Sequence, residues 1–222
     1  WFLLQQKNIK ELDLLKIKFL YDLLLQGVFF YAIIKEKMIE KESLWPTQLL
    51  INTLDHIDNK GITEWILNYK KSTKGRNISN RGGWQEEVNA REEILKPVNE
   101  AILETLKSLE LNGPKEFNIS MWINVNNKGD WNMYHDHLGV DLSGVYYVKV
   151  PKDSGDITFK DPRTGSESDH IVGLPTHMPL VPQEGVLLMF PAFLEHMVTP
   201  SKSDEERISI AYNVMIRDPI NN

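Results

Sequence analysis

Residues 117–125 have the sequence FNISMWINV and come shortly after the turn sequence Asn112-Gly113-Pro114. From this point the composition changes to short runs typical of β-strands. Further short runs rich in β-branched and aromatic residues follow, separated by Gly, Pro and Asp, at 143–150, 156–159, 185–190 and 207–216. Many short strands at this spacing are typical of a jelly roll or a barrel. The second half of the chain therefore predicts a mainly β domain.

The first half of the chain favours helices. Residues 2–43 show helical apolar spacing and end in a charged run. We therefore expect a helical N-terminal extension over residues 1–43 and one domain over residues 44–222. Three roles stay open for the apolar faces of the extension: homodimer contact, contact with another partner, or completion of the core.

Two helices are also predicted inside the domain. Thr63 is expected to cap a short helix over residues 64–69. A longer helix is predicted over residues 85–109, with an interruption near Pro97. Helices of this kind are expected to support one side of the β-structure.

Composition bounds the function. The 222 residues are 41% hydrophobic and 25% charged, as in ordinary globular proteins, and the formal charge of −6 disfavours nucleic-acid binding through phosphate neutralisation. The most apolar stretch, residues 19–34, is shorter than a membrane span and contains Asp22. No membrane segment or secretory signal is predicted, so the cytoplasm is the expected location. Cysteine is absent, so a metal would be held by His, Asp or Glu.

Three of the six histidines occupy positions that strands can bring together. His135 and His137 flank Asp136, and residues two apart on an extended segment point to the same side. Two imidazoles on one face can bind one metal ion. His196 follows the apolar run 186–190 and can supply a third ligand from another strand. The alternative interpretation is that all three are ordinary polar residues at turns or strand ends.

Arg207 and Ser209 form a second candidate site. They lie two apart in the alternating run RISIA at 207–211, so they share one face of the predicted strand. A guanidinium and a hydroxyl on one face form a cradle for a carboxylate. A buried arginine without an anion would be costly. The alternative is a surface ion pair with Glu205 or Glu206.

These residues resemble a known superfamily. The segment NVNNKG at 124–129, followed after five residues by His135-Asp136-His137, is similar to the Asn-x-Tyr-x-x-Gly-x5-His-x-Asp signature of 2-oxoglutarate- and iron(II)-dependent oxygenases. The segment 182–191 leading to His196, and then Arg207-x-Ser209, is similar to the second half of that superfamily. Residues 142–148 and 161–163 resemble a narrower branch found in bacteria and phages.

The resemblance implies a double-stranded β-helix, a cupin-like jelly roll of the α+β, mainly β class, with supporting N-terminal helices. It implies a dioxygenase, and most often a hydroxylase, that uses 2-oxoglutarate and O2 as co-substrates. His135, His137 and His196 would hold iron(II), and Arg207 with Ser209 would anchor the distal carboxylate of 2-oxoglutarate. Asn124 is expected to donate a hydrogen bond to the keto acid, and Tyr134 or Tyr147 to contribute another from a neighbouring strand.

The chain departs from the signature at two positions. His137 stands where the superfamily has a carboxylate, and Asn126 stands where it has tyrosine. Asp136 is the alternative carboxylate ligand, but its side chain would point away on an extended segment, so His137 ranks above it.

Other readings of the ligand set stay open. They are a three-histidine cupin-type dioxygenase without keto acid, a zinc hydrolase, and a non-enzymatic β-barrel binding module. Aromatic residues at strand positions (Trp122, Trp131, Tyr134 and Tyr146) are a candidate wall at the mouth of the site, with core packing as the plainer interpretation. The sequence does not identify the primary substrate.

Overall fold

The computed structural model describes residues 46–163 and 176–219, which build two β-sheets and two α-helices. The helices are α1 (Asn59–Lys70) and α2 (Lys96–Lys107), the second preceded by a 3-10 turn at Glu93–Leu95. The strands are β1 (Leu50–Thr53), β2 (Asn80–Arg81), β3 (Trp84–Val88), β4 (Glu116–Asn126), β5 (Trp131–His135), β6 (Leu142–Lys149), β7 (Ile157–Lys160), β8 (His177–Leu180), β9 (Val186–Pro191), β10 (His196–Val198) and β11 (Arg207–Arg217).

The two sheets are antiparallel. The larger has the order β1-β9-β6-β11-β4-β3 and the smaller the order β2-β5-β10-β7-β8. Apolar side chains of both sheets share one core, in which Val145 and Leu188 of the larger sheet meet Ile157 and Phe159 of the smaller. The sheets therefore pack face to face, and the predicted mainly β, double-stranded β-helix fold is confirmed. Within the described ranges, neither helix has the length and apolarity to cross a bilayer.

Alternation along β4 and β11 assigns each residue to one face of the larger sheet. Met121, Ile123 and Val125 of β4 are fully buried in the core that the sheet shares with the helices. The intervening residues point to the opposite face, toward the smaller sheet, because neighbouring side chains on a strand alternate. That inner face carries the polar residues of the site.

Both helices cover the outer face of the larger sheet. Ile62 and Ile66 of α1 and Ile102 of α2 are almost completely buried in the same core as β4 and β11. The Tyr146 hydroxyl donates a hydrogen bond to Asn59 Oδ1 at 2.6 Å and so joins β6 to α1. Tyr146 therefore belongs to this outer core, and its expected place in an aromatic wall at the site is wrong.

The helix predictions were wrong at their starts. The residues of β3 pair with β4 instead of continuing a helix over 85–109, because long-range strand pairing overrides local propensity. Pro97 lies in the first turn of α2, where its missing N–H leaves no hydrogen bond unmade, so it begins the helix. Asp58, rather than Thr63, caps α1: its Oδ1 accepts a hydrogen bond from the Gly61 N–H at 3.0 Å. The predicted helical extension over 1–43 lies outside the described residues.

Candidate active site

Three histidines meet on the inner face of the smaller sheet. β5 and β10 are neighbours, and their antiparallel register sets His135 opposite His196. His137 lies two residues beyond the end of β5, where its backbone N–H donates a hydrogen bond to the Ala192 carbonyl at 2.9 Å. The ring centroids are 5.0 Å apart for His135 and His137, 4.5 Å for His135 and His196, and 5.3 Å for His137 and His196. One ring nitrogen from each lies within 4.8 Å of the others.

Backbone carbonyls fix the tautomers of two of these rings. His135 Nδ1 lies 2.7 Å from the Met133 carbonyl oxygen, and His196 Nδ1 lies 2.9 Å from that of Leu194. A carbonyl oxygen only accepts, so each Nδ1 carries the hydrogen and each Nε2 keeps its lone pair. A carbonyl behind the ring also holds the imidazole in place, as the outer contacts of metal-ligating histidines do.

All three rings are held neutral. Burial, with repulsion from His135, lowers the pKa of His196 to about 3 and that of His137 to about 4. Burial also lowers the pKa of His135. Three neutral imidazoles with lone pairs in reach of one point fit a divalent transition metal.

Asp136 stands apart from this cluster. Among the described residues, the group that can hold a metal consists of the three histidines and includes no carboxylate. Asp136 is exposed and lines an outer groove instead. The geometry agrees with ranking His137 above Asp136, and its role as a ligand stays a prediction.

A small inner cavity of about 50 Å³ lies between the sheets beside the histidines. Strand register lines up one row of its polar residues: Asn124 of β4 is opposite Ser209 of β11, which is opposite Tyr147 of β6. Seven of the eight predicted site residues line this cavity: Asn124, His135, His137, Tyr147, His196, Arg207 and Ser209.

Arg207 is a buried cation at this cavity. Its residue surface is 2% exposed, its Nη1 donates to the Gly155 carbonyl at 3.2 Å and its Nη2 donates to Asn126 Oδ1 at 3.1 Å. Its Nε is buried without a partner, and no described carboxylate forms an ion pair with the guanidinium. Burial lowers the pKa of Arg207, because the charged form is unfavourable away from water. The guanidinium is thus held by two neutral acceptors and lacks an anion.

The surface ion pair considered for Arg207 is wrong. Glu205 pairs instead with Lys149 at 3.1 Å, and Glu206 pairs with Lys70 at 2.8 Å. Both acidic neighbours are therefore engaged away from Arg207.

The Gly155 carbonyl is one of the two hydrogen-bond acceptors of Arg207. Its φ of +92° lies in the region that only glycine adopts readily, and a Cβ there would lie 2.3 Å from the Thr199 carbonyl oxygen. The close approach of the two backbones directs the Gly155 carbonyl to the guanidinium.

The two tyrosines offered for the keto acid occupy different places. Tyr147 is buried at the inner cavity, and burial raises its pKa to about 12, so its hydroxyl stays protonated and can donate. The ring of Tyr134 lies in the outer groove, 5.8 Å from that of His177. The structure does not bring Tyr134 to the row that contains Ser209.

The outer groove has a volume of about 500 Å³ and shares His135 and His137 with the inner cavity. The ring of Trp122 lies 5.7 Å from that of His137 and forms part of both walls. Trp122 and Tyr134 thus lie where the aromatic wall was expected, whereas Trp131 pairs with Arg81 at the sheet edge and lines neither space.

Sequence reasoning missed two residues of the site. Asn126 was noted only as a departure from the signature, although its alternation with Asn124 places it on the inner face, where it accepts from Arg207. Gln85 was placed in a helix, and it lies on β3 opposite Asn124 and lines the outer groove. Nothing local in the sequence separates Gln85 from a helical residue.

Comparison with known protein families and structures gives independent evidence on the family and the fold of the chain. The sequence model of the family described as "Putative 2OG-Fe(II) oxygenase" matches residues 120–213, which contain every metal and cofactor residue proposed above. No curated protein matches the sequence. The match confirms the resemblance to 2-oxoglutarate- and iron(II)-dependent oxygenases.

Several solved structures have a similar fold. A prolyl-4-hydroxylase from Pseudomonas putida superposes with a TM-score of 0.57 at 13% identity, over 78% of this chain and 94% of that one. A prolyl hydroxylase from Trichoplax adhaerens, solved with a hypoxia inducible factor peptide fragment, gives 0.59 at 13% identity, over 75% and 83%. HygX from Streptomyces hygroscopicus, solved with nickel and 2-oxoglutarate, gives 0.54 at 10% identity, over 76% and 82%. At these identities the superpositions establish the fold.

Proposed function

We propose that this chain, a 2-oxoglutarate-dependent oxygenase by its family match, is a hydroxylase whose iron(II) is held by His135, His137 and His196. The distal carboxylate of 2-oxoglutarate binds Arg207 and Ser209. The net reaction is R–H + 2-oxoglutarate + O2 → R–OH + succinate + CO2, in which the substrate and the keto acid each gain one oxygen atom from O2. Iron(II) held by the three histidines would coordinate the keto acid and activate O2, which is the oxidant.

The observation that carries this proposal is the state of Arg207. It is a buried guanidinium with an unpartnered Nε, at the same 50 Å³ cavity as three neutral imidazoles. An unpaired buried charge is costly unless a counter-charge arrives. A dicarboxylate with one end at the histidines and the other at Arg207 supplies that charge.

The remaining inner residues position the keto acid. The hydroxyls of Ser209 and Tyr147 and the amide of Asn124 line one row of the cavity, and the described residues provide no hydrogen-bond partner for them. Each is thus available to donate to carboxylate or keto oxygens. The apolar side chains of Ile157 and Phe190, which line the same cavity, exclude water, and exclusion of water strengthens these polar contacts.

The test is calorimetric titration of 2-oxoglutarate into anaerobic, iron(II)-loaded protein, using the native chain, Arg207→Ala and Arg207→Lys. Loss of a buried charged partner costs about 2–5 kcal/mol of binding, so we expect Arg207→Ala to weaken affinity by about 30-fold or more. Arg207→Lys keeps the charge without the planar fork and should fall between the two. Arg217→Ala is the matched control, because Arg217 is an exposed arginine at the other end of β11.

Each outcome decides between functions. Unchanged affinity for 2-oxoglutarate in Arg207→Ala would refute the assignment of Arg207. Iron binding without any response to 2-oxoglutarate would favour a three-histidine dioxygenase that binds its substrate directly, and absence of iron binding would favour a non-enzymatic module. Succinate release coupled to substrate then identifies the hydroxylated compound.

A further inference from the structure

The outer groove carries more negative than positive charge. Its charged lining residues are Arg76, Glu86, Glu87 and Asp136. Arg76 is shared between two acids, with Nε 3.3 Å from Glu86 Oε1 and Nη1 3.1 Å from Glu87 Oε2. Its single positive charge can neutralise only one of the two carboxylates, so β3 keeps a net negative charge in the groove.

Asp136 adds a second negative charge, beside the histidines. The described residues give its carboxylate neither an ion pair nor a hydrogen bond, and the residue is exposed in the groove. Because Asp136 lies between His135 and His137 in the chain, this charge is close to the reacting end of the groove. A carboxylate in this position favours positive charge on whatever occupies the groove.

Gln85 gives an independent indication of a ligand. The residue is only 5% exposed, yet its side-chain Oε1 is buried without a hydrogen-bond partner. Its place opposite Asn124 on the inner face of the sheet directs the side chain into the groove that it lines. A buried unpaired amide oxygen is destabilising, and an N–H or O–H donor on a ligand would relieve that cost.

Large apolar side chains line much of the rest of the groove. Ile78, Trp122 and Met133 line it, and the Trp122 ring lies beside that of His137. Its volume of about 500 Å³ falls within the range of small-molecule sites.

We propose that the primary substrate has an apolar body and a positively charged nitrogen that carries N–H groups, and that Gln85 and Asp136 select it. The body packs against Trp122, Gln85 Oε1 accepts an N–H hydrogen bond, and Asp136 supplies the opposite charge. The inference rests on the proposed function in taking this groove as the substrate side of the histidines.

The experiment uses three probes with the same apolar body: 3-phenylpropylguanidinium, its neutral urea isostere and 3-phenylpropanoate. The guanidinium stays protonated and is a poor metal ligand, so its binding reports on the groove. Each probe is titrated into anaerobic, iron(II)-loaded protein saturated with 2-oxoglutarate, which blocks Arg207 against the carboxylate probe. We expect the guanidinium to bind at least about 10-fold more tightly than the urea at low salt, and this ratio to shrink at high salt. The carboxylate should bind weakest.

Variants separate charge from hydrogen bonding. Asp136→Asn should reduce the preference for guanidinium over urea to about 3-fold or less, with iron affinity measured alongside. The matched control is Glu110→Gln, which removes the same charge at an exposed site outside the groove and should leave the preference unchanged. Gln85→Met should weaken guanidinium and urea equally, by about 5-fold or more, because both donate N–H groups.

Stability distinguishes a binding role from a structural role of Gln85. Since its Oε1 makes no contact in the described structure, Gln85→Met should leave the urea-unfolding midpoint unchanged or raise it. A lowered midpoint with unchanged probe affinity would overturn the role assigned to Gln85. Equal or tighter binding of urea or carboxylate, or an equal effect of Glu110→Gln and Asp136→Asn, would overturn the proposed cation preference.

The two proposals fail separately. Affinity for 2-oxoglutarate is measured on the same preparations, so a protein that binds the keto acid without preferring the guanidinium refutes only the substrate class. A protein that prefers the guanidinium without binding the keto acid refutes the function and leaves the cation preference of the groove in place.

Discussion

Replacing Gly155 by alanine tests how the fold builds the anion site. The residue has φ +92°, and an added Cβ would lie 2.3 Å from the Thr199 carbonyl oxygen. A left-handed conformation costs a non-glycine residue about 1–2 kcal/mol, and overpacking against backbone adds about 1–3 kcal/mol. We expect Gly155→Ala to lower the free energy of unfolding by about 2–5 kcal/mol.

Gly129→Ala is the matched control for this prediction. Gly129 has φ +86°, but no atom lies within 4 Å of the position that an added Cβ would take, so only the conformational cost of about 1–2 kcal/mol applies. The assay is urea unfolding of both variants, followed by titration with 2-oxoglutarate. Because the Gly155 carbonyl accepts from Arg207 Nη1, a displaced backbone should also weaken keto-acid affinity, which Gly129→Ala should not. Equal destabilisation by the two substitutions would refute the argument from the close backbone contact.

Three further predictions follow from the two faces of the sheet and the state of the histidines. Tyr146→Phe, which removes the hydrogen bond to Asn59, should cost about 1 kcal/mol of stability and leave 2-oxoglutarate binding unchanged. Tyr147→Phe should instead weaken 2-oxoglutarate binding at nearly constant stability. Calorimetry measures the binding of both variants, and urea unfolding measures their stability. His196 has a pKa of about 3 in the folded protein against an ordinary 6.5, so the unfolded chain binds more protons below pH 6.5. The metal-free protein should therefore lose stability as pH falls from about 6.5 toward 3, by roughly 3 kcal/mol at pH 4. The substitution His196→Asn should reduce this dependence of stability on pH. His137→Ala should lower iron(II) affinity by about 100-fold, while Asp136→Ala should change it by less than about 3-fold; the reverse order would make Asp136 the ligand.

Long strands could be predicted from the sequence because both of their faces are specified. The predicted runs 117–125, 143–150 and 207–216 correspond to Glu116–Asn126, Leu142–Lys149 and Arg207–Arg217. Each run has an alternating or continuous apolar pattern, and apolar residues of this pattern pack in the core on the helix side of the sheet.

The two shortest described strands could not be predicted in this way. Asn80–Arg81 and His196–Val198 have two and three residues, too few to show a period. They form because they pair with β5, and their partners in β5 lie 50 or more positions away in the sequence. Pairing with the distant strand β4 likewise makes Trp84–Val88 a strand, and so places Gln85 in the groove.

The net charge of the site offers one reason why a chain with His137 in place of a carboxylate ligand has an acidic groove beside the histidines. With His137 in place of a carboxylate, iron(II), Arg207 and dianionic 2-oxoglutarate together leave one net positive charge. Asp136 lines the groove beside the cluster and can offset that charge without ligating the metal. Its effect on the two ligands must then have opposite signs: Asp136→Asn should strengthen binding of the 2-oxoglutarate dianion by a few-fold, roughly the effect of one partly exposed charge, while it weakens binding of the guanidinium probe. A change of the same sign for both ligands would mean that the substitution distorts the site, and that Asp136 acts through the positions of His135 and His137 instead of through its charge.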